Sequence, residues 1–194
     1  KISNKFKNKD KKKNLNVLLH AGASSSFKSI KNLAARTIIS SLKYNFNLTI
    51  LCTNISSKNY MLNLITKIKI FKNIRFINYT PNLVKNLRDY HVVVGPAGTT
   101  TFEAIQSGIL SFTCAFKNDG RDDEVTWHTA GHLMHLNEKE KNNIEIIDNC
   151  WDVVIHEYEN LLRVLKKNSK KIDGFGPKRL IQQILILEKN KNKN

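Results

Sequence analysis

Hydrophobic positions along the chain alternate between short continuous runs and longer stretches with helical spacing. Residues 15–20 form the first apolar run and predict a buried strand, which the small residues 21–26 follow. Apolar side chains then recur every three or four positions from Phe27 to Leu42, which predicts a helix with Ser26 as its N-cap. Residues 15–42 are therefore predicted to form a strand, a small-residue turn and a helix.

The same unit of strand and helix recurs along the chain. Further apolar runs predict strands at residues 48–52, 73–78, 91–94, 110–116 and 132–136. Helical spacing predicts helices at residues 57–68, 83–89, 99–107 and 123–130, one long amphipathic helix from Trp151 to Leu165, and a last helix at 178–187 that begins near Pro177. Because short apolar strands alternate with helices, we predict an α/β, Rossmann-like three-layer sandwich with a mostly parallel sheet.

The composition is typical of an ordinary globular domain. Of the 194 residues, 41% are hydrophobic and 25% are charged, which excludes collagen-like, disordered and disulfide-scaffold chains. No apolar run approaches the roughly 18 residues that a membrane-spanning helix needs, so no membrane span is expected. The three cysteines, Cys52, Cys114 and Cys150, are far apart and form no CxxC pair. We therefore expect reduced thiols in a cytoplasmic protein, and no structural zinc.

The positive charge is distributed unevenly along the chain. The formal net charge is +16, and residues 1–13 hold seven lysines against a single aspartate. We expect this segment to be a disordered basic arm or linker, and residues 14–190 to form a single domain. A nucleic-acid surface is the alternative explanation of the charge. No arginine cluster or aromatic RNA-binding stretch accompanies it, so nucleic acid is not the partner that we expect.

Three loops that follow predicted strands carry candidate chemistry. In open α/β sheets, ligands bind beyond the carboxyl ends of the strands, where these loops lie. Residues 22–26 offer small side chains and free backbone amides at a helix start, and residues 116–121 add polar and basic groups. Residues 95–101 contain two glycines and three threonines at the start of another helix. Orphan amides, the helix dipole and the hydroxyl groups together predict a phosphate cradle there.

Glu103 lies in the first turns of the helix that follows this cradle. A carboxylate at this place accepts hydrogen bonds from a ribose diol, or stabilises the helix dipole, and the sequence alone leaves both roles open. No GxGxxG follows any predicted strand, and no GK[ST] occurs in the chain. The pattern is therefore neither a dinucleotide fingerprint nor a P-loop.

The combination of these segments resembles a known superfamily. Residues 92–108 are similar to the a-G-x-T-x-x-E-a-x-x-x-G-x-P segment of GT-B glycosyltransferases of the MurG type. Within that superfamily, the chain most resembles the PseG/SpsG group, which contains UDP-sugar hydrolases of pseudaminic acid synthesis and spore-coat polysaccharide relatives. Residues 20–25, residues 116–119 with Trp127 and Gly131, and residues 173–179 resemble further segments of that group, in the same order.

The resemblance implies a UDP-sugar as the ligand. Glu103 would hold the ribose hydroxyls, residues 98–101 the diphosphate, and the turn at 22–25 would border the diphosphate from the other side. The backbone around Phe76 and Ile77 would face the base, and residues 118–119 would approach the sugar. The implied nucleotide- and substrate-binding residues are Gly22, Ser24, Ser25, Phe76, Ile77, Gly98, Thr99, Thr100, Thr101, Glu103, Asn118 and Asp119.

The resemblance also implies that the chain is one half of an enzyme. The catalytic base of the family is a histidine in a first Rossmann-like half, which has no counterpart here, so that half is an expected partner, on the same or a separate chain. Neither a cofactor nor a metal is expected. We therefore expect the UDP-sugar-binding half of a PseG-like hydrolase in surface-glycan or nonulosonic acid synthesis. The alternatives are the donor-binding domain of a GT-B glycosyltransferase and a non-catalytic, degenerate nucleotide-binding module.

Overall fold

A computed structural model describes residues 15–22, 26–69, 72–79, 83–115, 123–168 and 175–191. The basic arm expected at residues 1–13 lies outside the described residues. The same is true of four of the expected site residues, namely Ser24, Ser25, Asn118 and Asp119.

Short apolar runs form the strands, as their hydrophobicity predicts. In chain order, strands β1 to β6 span Asn16–His20, Asn47–Cys52, Ile74–Asn78, Val92–Pro96, Leu110–Cys114 and Met134–Leu136. They pair in the order β3-β2-β1-β4-β5-β6, and every pairing is parallel. The central strands are buried on both faces, which explains why they read as continuous apolar runs and not as alternating ones. The predicted α/β Rossmann-like sandwich is confirmed.

Helices follow the strands at the places that the spacing predicts. In chain order, helices α1 to α8 span Lys31–Lys43, Ile55–Ile68, Leu83–Leu87, Thr99–Gln106, Asp123–Thr129, Ile144–His156, Tyr158–Asn168 and Gly176–Lys191. Ser26 caps the short turn that leads into α1, because its hydroxyl oxygen accepts a hydrogen bond from the Lys28 amide at 3.2 Å. The turn Phe27–Ile30 that follows is a 3-10 helix, and α1 continues from it.

The two faces of the sheet carry separate hydrophobic cores. Successive side chains of a strand point to opposite faces, so Leu19 of β1 belongs to one core and Leu18 to the other. The larger core holds the apolar side chains of α1, α2, α6 and α7. Its largest fully buried side chain is Trp151, which stacks on Phe46 with ring centroids 5.0 Å apart. The smaller core packs α3 and α4 against the opposite face.

The long helix predicted from Trp151 to Leu165 is wrong in one respect. The structure divides it into α6 and α7, with a bend at Glu157. Backbone hydrogen bonds continue on both sides of the bend, from the Glu157 amide to the Val153 carbonyl and from the Leu161 amide to the Glu157 carbonyl. The apolar stripe is continuous because both helices bury it, but α6 packs on α1 whereas α7 packs on β5. One straight helix could not pack against both α1 and β5.

Candidate functional site

A pocket of about 260 Å³ opens at the carboxyl edge of the sheet. Strands β1 and β4 are neighbours there, and the chain leaves them toward opposite ends of the sheet, so this is the switch point of the strand order. Ligands of open α/β sheets bind at such points. The described residues that line the pocket come from the ends of β1 and β2, from the segments that follow β1, β2 and β3, and from α3 and α4. They are His20, Ala21, Gly22, Leu51, Thr53, Tyr79, Leu83, Thr99, Thr100 and Glu103.

One wall of the pocket is the amino-terminal end of α4. Gly98 is the N-cap residue of this helix and has no side chain with which to cap it. The first helical amides, those of Thr99 and Thr100, therefore lack a capping side chain, and no acidic side chain lies in the first turn. Both threonines line the pocket. Helix-terminal amides without a capping side chain, together with the positive end of the helix dipole, make this wall suited to an anionic group.

Glu103 lies one turn further along α4, on the same face of the helix as Thr99. It is the only carboxylate among the described residues that line the pocket. Partial burial raises the pKa of this carboxyl above its ordinary value. A carboxylate in this position accepts hydrogen bonds from hydroxyl groups of a ligand whose anionic part sits at the helix start.

His20 forms the floor of the pocket at the end of β1. Its side chain is buried, and its Nδ1 accepts a hydrogen bond from the Gly22 amide at 3.1 Å. Burial lowers the pKa of His20 to about 4, so the imidazole is neutral at neutral pH. Its other ring nitrogen, Nε2, is buried and has no hydrogen-bond partner among the described residues.

Gly95 of the neighbouring strand β4 allows the His20 ring to occupy this place. A Cβ built on Gly95 would lie 2.4 Å from the His20 carbonyl oxygen and 2.7 Å from Nε2, which no side chain tolerates. The φ angle of Gly95 is +159°. Glycine is therefore required here by a close approach of two strands, which the sequence alone does not reveal.

The structure brings together Gly22, Thr99, Thr100 and Glu103 of the expected site residues. Gly98 is adjacent as the N-cap of α4, and Thr101 in the first turn of this helix is buried, with no hydrogen-bond partner for its hydroxyl oxygen among the described residues.

Phe76 and Ile77 do not line the pocket. Both belong to β3, where Phe76 packs against the larger core and Ile77 against the smaller one. Ile77 pairs in register with Leu51, which does line the pocket, so the two residues lie one strand away from it.

Sequence reasoning missed His20, Thr53 and Tyr79 as lining residues. Each ends or directly follows a strand, so position at the carboxyl edge is the signal that could have found them. The Tyr79 amide donates to the Cys52 carbonyl at 3.0 Å, which holds the start of this loop against β2. The Tyr79 side chain is 57% exposed and offers an aromatic surface at the mouth of the pocket.

A second cavity, of about 340 Å³, lies at the opposite, amino-terminal edge of the sheet. Its polar lining includes Asn16, Asn47 and Asn73, whose amide groups already hold neighbouring side chains or backbone. The Asn47 amide donates to Asn16 at 3.0 Å, and the Asn73 amide donates to Asn45 at 3.0 Å. These hydrogen bonds link neighbouring segments at the amino-terminal ends of the strands. The cavity therefore lies at the opposite edge of the sheet from the switch point, and its asparagine side chains are already paired.

The described residues form neither a metal cluster nor a membrane-spanning helix. No three His, Cys, Asp or Glu side chains there lie close enough to hold a metal ion. No helix in the part of the chain that the structure describes is long and apolar enough to cross a membrane.

Comparison with known proteins gives matches in structure only. No family model matches the chain, and no curated protein matches it. UDP-GlcNAc 2-epimerase from Neisseria meningitidis, solved with UDP-GlcNAc bound, matches with a TM-score of 0.64 at 16% identity, over 90% of this chain and 44% of that chain. Spinosyn rhamnosyltransferase SpnG matches with a TM-score of 0.66 at 19% identity, over 88% of this chain and 45% of that chain. The complex of SpnG with thymidine diphosphate matches with a TM-score of 0.65 at 18% identity, over 83% of this chain and 42% of that chain.

These similarities establish the fold. The chain has a Rossmann-like fold that matches the covered part of each of these solved chains. It spans less than half the length of the solved chains named above.

Proposed function

We propose that this chain is the nucleotide-sugar-binding half of a GT-B-type enzyme and that its ligand is a UDP-sugar. The observation that carries the proposal is the pocket at the switch point, where the uncapped start of α4 and the Glu103 carboxylate share one wall. An anion-binding helix end and a hydroxyl-binding carboxylate one turn apart match a ribose joined to a diphosphate.

In this proposal the diphosphate and the ribose each have their own residues. The amides and hydroxyls of Thr99 and Thr100, next to Gly98 and Thr101, hold the diphosphate, and Gly22 borders it from the segment after β1. Glu103 accepts hydrogen bonds from the ribose hydroxyls. The same helix start stabilises the negative charge that grows on the diphosphate when its bond to the anomeric carbon breaks.

The named relatives in structure support a pyrimidine nucleoside diphosphate. One is solved with UDP-GlcNAc and another with thymidine diphosphate. A rhamnosyltransferase and an epimerase stand among them. We therefore favour transfer of a glycosyl group over hydrolysis by a PseG-like enzyme of surface-glycan synthesis. The hydrolase interpretation depends on sequence segments that include Asn118 and Asp119, and these two residues lie outside the described residues.

The proposal includes a second Rossmann-like half as partner. Chains of the solved relatives are more than twice as long as the part of them that this chain covers. Helix α8 offers a surface for such a partner, because Leu180, Ile181 and Leu185 on it are 62%, 57% and 51% exposed. Exposed apolar groups at this density mark an interaction surface. The catalytic base would come from the other half.

Titration calorimetry of the chain with UDP tests the proposal, with ADP as the control nucleotide. We expect UDP to bind and ADP not to bind. Replacing Glu103 with alanine should weaken UDP binding by about 1–3 kcal/mol, or roughly 5- to 150-fold, because the ribose hydroxyls lose a charged acceptor. The matched control is Gln106→Ala, an exposed residue of the same helix outside the pocket. Equal binding of UDP and ADP, or equal loss in both variants, would contradict the proposal.

An assay of UDP-sugar turnover distinguishes an enzyme half from a non-catalytic, degenerate module. If a first half with a glycine-rich loop and a histidine is supplied, we expect turnover of a UDP-sugar to UDP with an acceptor hydroxyl. UDP release with water alone would favour the hydrolase, and tight UDP binding without turnover would favour the non-catalytic module.

A further inference from the structure

The protonation of His20 follows from its hydrogen bonding. The Gly22 amide donates to Nδ1, so Nδ1 carries the lone pair. Because the imidazole is neutral, its single proton is on Nε2. The ring therefore presents an Nε2–H donor.

No described residue supplies an acceptor for this donor. Nε2 is closed to solvent and makes no hydrogen bond within the part of the chain that the structure describes, although His20 lines the pocket. A buried donor without a partner costs about 1–3 kcal/mol of stability. Buried polar groups in folded proteins are nearly always satisfied, and the exceptions have a reason that is often functional.

The surroundings of Nε2 point to a ligand acceptor. The described residue that lies next to Nε2 on the neighbouring strand β4 is Gly95, which has no side chain. Gly95 is the last residue but one of β4, and only Ala97 and Gly98 separate this strand from α4, so the residue next to His20 is a few positions from the helix start. Access of a ligand oxygen to Nε2 requires a small shift of residues 95–98, and glycine at positions 95 and 98 leaves the backbone free to make it.

We propose that His20 is a ligand-binding residue of this pocket, whose neutral Nε2–H donates a hydrogen bond to an oxygen of the diphosphate held at the start of α4. The inference rests on the proposed function and adds to it a binding residue from β1. The Gly22 amide fixes the tautomer, and Gly95 leaves room for the ring. A neutral donor inside the pocket binds an anion without adding a charge that would itself have to be buried.

Two substitutions test the roles of the two ring nitrogens of His20 separately. His20→Asn keeps an acceptor close to the position of Nδ1 for the Gly22 amide but removes the Nε2 donor. His20→Gln places an amide donor close to the position of Nε2. We would measure dissociation constants for UDP, UMP and uridine by calorimetry for the wild type and both variants, and confirm folding by circular dichroism.

We expect His20→Asn to weaken UDP binding about tenfold or more, the effect of losing a hydrogen bond to a charged group, with uridine affinity unchanged. His20→Gln should restore most of the UDP affinity. If the wild type binds UDP and His20→Asn binds it equally well, the inference about His20 is overturned while the proposed function stands. If the wild type does not bind UDP, both fail together.

Nitrogen-15 NMR of histidine side chains tests the wild type directly, even where a variant does not fold. We expect the His20 signals of an Nε2–H tautomer, and a shift of the Nε2 signals when UDP is added. An Nδ1–H tautomer, or Nε2 signals that UDP leaves unmoved under saturating conditions, would overturn the inference.

Discussion

Acid should destabilise this protein through His20. The folded state holds the imidazole neutral, because burial lowers its pKa to about 4, whereas the ordinary value in an unfolded chain is about 6.5. Between these two pH values, the unfolded state binds the proton and the folded state does not. The contribution of His20 to stability is therefore fully present above about pH 6.5, and it is lost as the pH falls toward about 4.

The size of this effect follows from the two pKa values. The gap between about 6.5 and about 4 corresponds to about 3 kcal/mol, at about 1.36 kcal/mol for each pKa unit. In the middle of the range, the slope approaches about 1.36 kcal/mol per pH unit for this one group. That loss is a large share of the roughly 5–15 kcal/mol that stabilises a typical domain.

Urea unfolding at several pH values between about 7.5 and 4.5 measures the effect, in the wild type and in His20→Asn. The asparagine retains an acceptor for the Gly22 amide and does not titrate, so its curve should lack the contribution of His20. His135, whose pKa burial also lowers, contributes to both curves and cancels in the comparison. Parallel stability curves for the wild type and His20→Asn would refute the conclusion that His20 is buried and neutral.

Two further predictions concern packing, and urea unfolding at neutral pH measures both. Gly95→Ala should lower the free energy of unfolding by about 1–3 kcal/mol or more, because the added Cβ meets the His20 carbonyl oxygen at 2.4 Å. Gly98→Ala is its control and should cost less than about 1 kcal/mol, because nothing lies within 4 Å of the added Cβ; equal losses would contradict the clash. Trp151→Ala should cost about 3–5 kcal/mol, because the fully buried ring stacks on Phe46; a loss below about 1 kcal/mol would count against this core.

Much of the fold could be predicted from the sequence because its signals are local. Each buried parallel strand is a short apolar run, and each covering helix has apolar residues at helical spacing. The N-cap at Ser26 and the helix that begins beside Pro177 follow from the chemistry of single residues, and the structure has both. The uncapped start of α4 at Gly98 was likewise visible as a glycine before a helical stretch.

What sequence reasoning missed depends on contacts between distant segments. The bend at Glu157 leaves no mark in the apolar stripe, because the stripe is buried on both sides of it. The burial of His20 depends on Gly95, which lies on a different strand and has no side chain to leave a pattern. The pocket also includes Thr53 and Tyr79, which become neighbours only when β2 and β3 pair.

The place where UDP binds tests the central claim most directly. Backbone amide NMR of the chain during titration with UDP, with ADP as the control, reports binding residue by residue. The account predicts that UDP shifts the amide signals of Gly22, Thr99 and Thr100 at the carboxyl edge of the sheet, and leaves those of Asn47 and Asn73 at the opposite edge in place. Shifts confined to the asparagine edge, or no shifts with UDP at millimolar concentration, would contradict it.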